Sequence, residues 1–324
     1  MAQFFKILKV VLLLLIIVMI YFQIMDDGNK IAMEEVLSRK RPTLNLAYIG
    51  LCILMMPINW WLEGKKWQWL MSPHVEISSR QAIKTVLAGV AAGIMTPARL
   101  GEYGGRLVTT DPSLKAQVIS ATLLGSIAQN ICNVAVGLSF SYFFLKSVFG
   151  VTFGEGLTFS IVVAIQIIVL LFLYYNLPKV AHYVERVVRI KYVTIMSQKL
   201  KSLDLYHSTL LNKVLVLSLL RYTIYFTQYL LILVFLGVSL NIGTLSGNIS
   251  GIYMIQTGIP LPAFLSVFAR GELAILVWSS VGVNELTALA ATIGLWFVNL
   301  IIPSIAGIII LTGTDLKKYF NKNE

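Results

Sequence analysis

Charge is scarce in this sequence. Only 13% of its 324 residues are Asp, Glu, Lys or Arg, where a soluble domain carries about a quarter. Cysteine is scarcer still. Cys52 and Cys132 stand alone, both inside apolar runs, which excludes a disulfide framework and a cysteine-rich metal site. They read as small buried apolar residues. The three histidines, His74, His182 and His207, lie between apolar runs at no metal-ligand spacing. HExxH, a Gly-Lys-Ser/Thr phosphate loop, DxD and CxxC are all missing. The sequence therefore offers no metal centre, no cofactor site and no catalytic motif.

What is there is apolar side chain, at 57% of the sequence. A hydrocarbon core takes roughly 20 apolar residues per helix. Runs of that kind cover Phe4–Ile24, Leu44–Leu62, Gln117–Leu145, Leu157–Tyr175, Lys213–Leu236 and Leu286–Leu311. The expectation is an all-α integral membrane protein, a single transmembrane domain over residues 1–324. The net charge of +11 does not point to nucleic acid. The cations gather in a few segments beside apolar runs, as the positive-inside rule describes, and no zinc-finger spacing or aromatic-basic binding motif occurs. Lys6 and Lys9 ahead of "VVLLLLIIVMI" resemble a signal peptide, but "YFQIMDDGNK" follows with no small-residue cleavage site. The reading is an uncleaved first helix whose lysines snorkel to the cytoplasmic surface.

Basic residues set the orientation. The stretch from Lys179 to Lys213, the stretch from Lys65 to Lys84 and the tail with Lys317, Lys318 and Lys322 are basic, whereas Val238 to Pro262 holds no Lys or Arg. The first three are expected in the cytoplasm and the last outside. The loop with Lys30, Arg39, Lys40 and Arg41 runs against that pattern.

Two stretches, 83–110 and 242–281, do not read as simple spans. Each is apolar, then broken by proline: Thr96-Pro97 with Gly101 close behind, and "TGIPLP" with Pro260 and Pro262. Proline removes a donor and disfavours helix in the residue before it. Such breaks survive at membrane depth where protein or a water-filled cavity covers the freed groups. The expectation is two re-entrant broken-helix hairpins from opposite faces beside about six full spans, with both termini in the cytoplasm. "GVAAGIMTPARLGE" and "GTLSGNISG…GIPLPA…ARGELA" also share small residues at i, i+4 and an Ala-Arg pair followed shortly by Gly-Glu. That likeness points to an inverted repeat, an architecture with its site near the midplane.

Charge inside a bilayer is costly and tends to face a cavity or a partner. Arg99, Glu102, Arg106, Arg221, Arg270 and Glu272 are the candidates for binding substrate. Arginine offers a planar fork of donors to phosphate oxygens, and glutamate balances charge or takes a proton. The plain alternatives are an Arg99–Glu102 pair on one helix face and snorkelling of Arg106 or Arg221. "INWWLEGKKWQWL" holds Trp60, Trp61, Trp67 and Trp69 beside two lysines, an interfacial anchor in which Glu63 and Lys66 could line a cavity mouth. Residues 180–206 carry apolar positions at helical spacing with basic residues between, which fits a cytoplasmic linker helix on the inner leaflet.

These stretches resemble one known family. "NWWLEGKKWQWL", "TPARLGEYGGR", "ARGELAIL" with "VGVNELTALAATIGLW", and "NLIIPSIAG" are similar to the motifs of the lysylphosphatidylglycerol synthase transmembrane, or flippase-like, family, across nearly the whole chain. Two departures stand out: "AFLSVFARGE" has fewer glycines before its glutamate, and Asn299 stands where the family often has arginine. The resemblance implies a protein of the bacterial cytoplasmic membrane that moves lipids or lipid-linked molecules between leaflets, with the aminoacyl-transfer domain absent. The expected partner is an anionic phospholipid or lipid-linked molecule, with no nucleic acid. A homo-oligomer is left open. An integral membrane enzyme acting on a lipid-linked substrate, with Glu102 as base, and a non-transporting subunit are the alternatives.

Overall fold

A computed structural model describes residues 44–94, 96, 99–150, 156–177, 179, 183, 205–258 and 263–314. Those residues are all helical or connecting. Among the described residues nine helices form: α1 (Leu44–Met71), α2 (Ser79–Ile94), α3 (Gly101–Val108), α4 (Lys115–Phe149), α5 (Gly156–Tyr175), α6 (Ser208–Phe235), α7 (Ile242–Thr257), α8 (Ala263–Ser279) and α9 (Glu285–Thr312). Five are long and apolar enough to cross a membrane: α1, α4 with the short turn before it, α5, α6 and α9. They match five of the six expected spans. The sixth, Phe4–Ile24, lies outside the described residues, as does most of the linker at 180–206.

The two remaining stretches are helix–break–helix, as the prolines imply. Pro97 lies in one break and Pro260 and Pro262 in the other, all outside the described residues. In the first, α2 and the eight-residue α3 lie against each other. Gly101 and Gly105 make that approach, since an added Cβ would stand 2.1 Å from the Ala92 carbonyl oxygen and 2.3 Å from that of Ala88. No other residue fits helices so close. Thr96 sets the start of α3, because its hydroxyl accepts a hydrogen bond from Gly101 N–H at 2.6 Å. In the second stretch α7 packs along α4, and α8 packs on α9.

Two apolar clusters fill the interior. One gathers residues of α1, α2, α4, α5 and the start of α6, with Trp67 and Leu70 buried. The other joins Cys52, the second half of α6, α7, α8 and α9 around Trp278 and Ile249. Helix α6 runs between them. Helix α5 contributes little burial, and most of its apolar side chains, Ile165, Ile168 and Phe172 among them, are exposed. In a hydrocarbon solvent that exposure carries no penalty.

Candidate functional site

Between the clusters lies one cavity of about 570 Å³. Both broken segments reach it. Arg99 and Glu102 come from the first, Arg270 from the second, Glu63 and Lys66 from α1, and Arg221 from α6. Arg106 stands directly behind, bonded to Glu63 and Glu102.

Glu63 organises the charges. The residue is 6% exposed, and its carboxylate meets three cations. Oε1 accepts from Arg106 Nη2 at 3.1 Å, while Oε2 meets Lys66 Nζ at 2.7 Å and Arg221 Nη1. Arg106 also donates to Glu102 Oε1 at 2.5 Å. Buried charges persist only when paired and hydrogen-bonded; every charge of this cluster is paired, while Arg106 Nε is buried with no hydrogen-bond partner among the described residues. The Arg106 guanidinium lies 4.6 Å from the Trp67 ring centroid, and that of Arg221 lies 5.4 Å from Trp60. An indole face stabilises a desolvated cation. Two of the four tryptophans expected at the interface, Trp60 and Trp67, are thus buried platforms, whereas Trp61 is exposed. The periodicity explains it. Trp60, Glu63 and Trp67 follow i, i+3, i+7 spacing and share the inward face.

A neutral chain extends the cluster. Arg221 Nε donates to Asn59 Oδ1 at 2.9 Å. Asn59 Nδ2 donates to Asn299 Oδ1 at 3.1 Å, Asn299 Nδ2 to Gln228 Oε1 at 2.9 Å, and Gln228 Nε2 to the Cys52 carbonyl at 2.8 Å. Asn299 sits in a π turn, Phe297–Ile301, inside α9. The widened turn shifts the register there. Sequence reading missed Asn59, Asn299 and Gln228 as members of the site. Their one signal was an amide inside an apolar span.

The two outer arginines differ from the inner ones. Arg99 is in the left-handed region at φ 57°, a strained conformation for a residue with a Cβ. Its side chain is 48% exposed, and its guanidinium lies 3.4 Å from Glu102. Arg270 has no carboxylate partner among the described residues, and Glu272 does not supply one. Glu272 is exposed and stands outside the cavity lining. Two helical residues apart is about 200° around the axis, so the pair points to opposite sides. Counting Lys66, Arg99, Arg106, Arg221 and Arg270 against Glu63 and Glu102, the site holds five cations and two carboxylates. Such a site attracts anions. Among the described residues no group of three His, Cys, Asp or Glu comes together to hold a metal ion.

A family model for the lysylphosphatidylglycerol synthase TM region matches residues 6–307. It describes the membrane region of that enzyme, and no aminoacyl-transfer domain is found within these 324 residues. No curated protein and no solved structure matches the sequence. The match takes in both broken segments, the Glu63 cluster and Asn299, and the chain is therefore a multi-pass membrane protein that belongs to the lysylphosphatidylglycerol synthase transmembrane family.

Proposed function

We propose that the protein is a flippase-like transporter that moves an anionic phospholipid or lipid-linked molecule between leaflets. One observation carries this reading: a single cavity collects Arg99 from one broken segment and Arg270 from the other, with positive charge in excess. Arg99 and Arg270 hold the phosphate. Arg106 and Arg221, already gripped by Glu63, fix the shape of the site and its field. Glu102 faces Arg99 in the absence of ligand and yields it when phosphate enters. The acyl or prenyl tail stays in lipid, so only the head group needs the polar path. In this reading the broken segments are re-entrant hairpins of an inverted repeat, and rocking between the halves changes which leaflet the cavity meets.

The test uses purified protein in liposomes with a fluorescent phosphatidylglycerol, quenched from outside with dithionite. Wild type is expected to carry inner-leaflet lipid outward, and the Arg99→Ala/Arg270→Ala double variant to fall to the protein-free rate. Equal rates for the double variant and wild type overturn the proposal.

A further inference from the structure

Helix α9 changes neighbours halfway along. Its first half, Glu285–Trp296, packs on α8 and α6. Ala288, Ala291 and Leu295 belong to the second apolar cluster, and Thr292 shares a hydrogen bond of 2.8 Å with Tyr229 on α6. Its second half, Ile302–Thr312, has one substantial neighbour among the described helices, and that is α2. Gly307 makes the seat, since an added Cβ would stand 2.0 Å from the Leu87 carbonyl oxygen. The handover is abrupt. Val298 packs on the second cluster and Leu300 on the first, with only Asn299 between them.

The helix is weakest at that point. The π turn Phe297–Ile301 departs from α-helical bonding, and Pro303 follows it. Proline has no N–H to offer the carbonyl four residues back, which here is that of Asn299. π turns and prolines are where helices bend. The Asn299 side chain is held from outside α9. It accepts from Asn59 on α1 and donates to Gln228 on α6. Those bonds fix the bend itself and neither arm.

Beyond the bend lies one unit. Gly101 and Gly105 press α3 onto α2, and α2 carries the second half of α9 at Gly307. The unit joins the rest of the chain at three stretches, none of them α-helical: the turn at 72–78, the turn and 3-10 segment at 109–114, and the π turn. Away from those stretches, among the described residues, one ion pair ties it to the other helices, Arg106 to Glu63. Parting that pair strands neither charge. Arg106 keeps Glu102, which lies in the same unit, and Glu63 keeps Lys66 and Arg221, which lie outside it. The remaining contact is apolar, through Ala82, Val86 and Val90, and apolar contact is non-directional. The unit supplies Val90, Ile94, Glu102 and Tyr103 to the cavity lining, with Arg99 at its break, while Tyr225, Tyr253 and Arg270 line it from α6, α7 and α8.

Resting on the transport reading above, we infer that α2, α3 and the second half of α9 swing as one body against the other helices. The π turn is its joint inside the membrane, and Asn299 pins that joint to α1 and α6. The swing widens and narrows the cavity between Arg99 and Arg270.

The experiment measures distances between pairs of spin labels by electron spin resonance. The protein carries Cys52→Ala and Cys132→Ala and sits in nanodiscs of phosphatidylcholine with or without phosphatidylglycerol. Labels go on exposed positions: Lys84→Cys on α2, Ile309→Cys on the second half of α9, and Val216→Cys on α6 and Leu276→Cys on α8. The Lys84–Val216 and Ile309–Val216 distances are expected to shift together by at least about 2 Å with phosphatidylglycerol, while Val216–Leu276 stays. Asn299→Leu is expected to broaden the two body distances in phosphatidylcholine alone and to leave Val216–Leu276 sharp, whereas general loosening broadens all three. Three unchanged distances in a protein that moves lipid in the liposome test overturn this inference and leave the transport reading standing. Lys84 moving without Ile309 does the same. Joint movement in a protein that moves no lipid overturns the transport reading alone. Unaltered widths in the Asn299→Leu protein overturn the assignment of the pin. The pairs that keep Asn299 decide whether the body moves even where that variant fails to fold.

Discussion

In the first broken segment the two arms lie on each other, while in the second each arm lies on a different neighbour. The letters of the two are alike, yet their charges behave differently. Arg99 and Glu102 are three apart and meet at 3.4 Å. Arg270 and Glu272 are two apart, and the glutamate turns out of the cavity. One residue of spacing converts a near-neutral pair into an unopposed cation. The arms follow the same logic. Where α3 is only eight residues, it has too little surface to be held by apolar packing alone, and glycine contact with α2 plus the Arg106–Glu63 bridge hold it. The 17-residue α8 has length enough to pack on α9 without such devices.

The comparison can be broken at its strongest link. Glu63→Ala leaves Arg106, Arg221 and Lys66 buried without their shared carboxylate, and is expected to cost about 3–5 kcal/mol. The loss should fall on the first segment. In thermal unfolding the variant melts early, and in hydrogen exchange α3 loses protection before α8 does. Protection lost equally in both helices would contradict the asymmetry.

A gentler break uses glycine. Gly105→Ala drives a Cβ against the Ala88 backbone and is expected to cost about 1–3 kcal/mol. Gly271→Ala on α8 meets only the Leu289 Cδ1 methyl, at 2.8 Å, the far end of a side chain that can turn away. It should stay within about 0.5 kcal/mol of wild type. Melting temperatures of the two variants in one detergent check the pair.

The charges can be made alike. Leu273 lines the cavity three residues after Arg270, so Leu273→Glu recreates in α8 the spacing of Arg99 and Glu102. Affinity for phosphatidylglycerol is expected to fall about tenfold in a fluorescence titration. The smallest expected effect is on stability. Arg270→Ala removes an unpaired cation and should leave the melting temperature unchanged or raised, while lipid binding falls. A marked loss of stability would show that Arg270 has a structural partner.

Much of this architecture is legible in the sequence because one-dimensional signals carry it. Hydropathy marks α1, α4, α5, α6 and α9, since each needs its own apolar length. Proline and glycine mark the breaks, since they act on their own backbone. The spacing of Arg270 and Glu272 was equally legible, and it already forbids the pairing. The Glu63 cluster was harder to see. Its tryptophans read as an interfacial belt because composition does not say which face of a helix turns inward. The Asn59–Asn299–Gln228 chain joins residues far apart in sequence, and no local pattern announces such a meeting.

Helix α6 has a mechanical consequence. Its side chains or carbonyls are hydrogen-bonded to α1 through Arg221 and Gln228, to α4 through Ser218, to α5 through Leu211, to α7 through Tyr222, and to α8 and α9 through Tyr229. Hydrogen bonds weaken steeply beyond about 3.5 Å, so these helices cannot slide along α6 without each giving up a bond. Among the described residues, α2 and α3 alone share no hydrogen bond or ion pair with it. The molecule is therefore built as a mast with its stays made fast, and the α2–α3 hairpin is carried beside it, seated on α9 where Gly307 meets the Leu87 carbonyl and tied to α1 at Glu63.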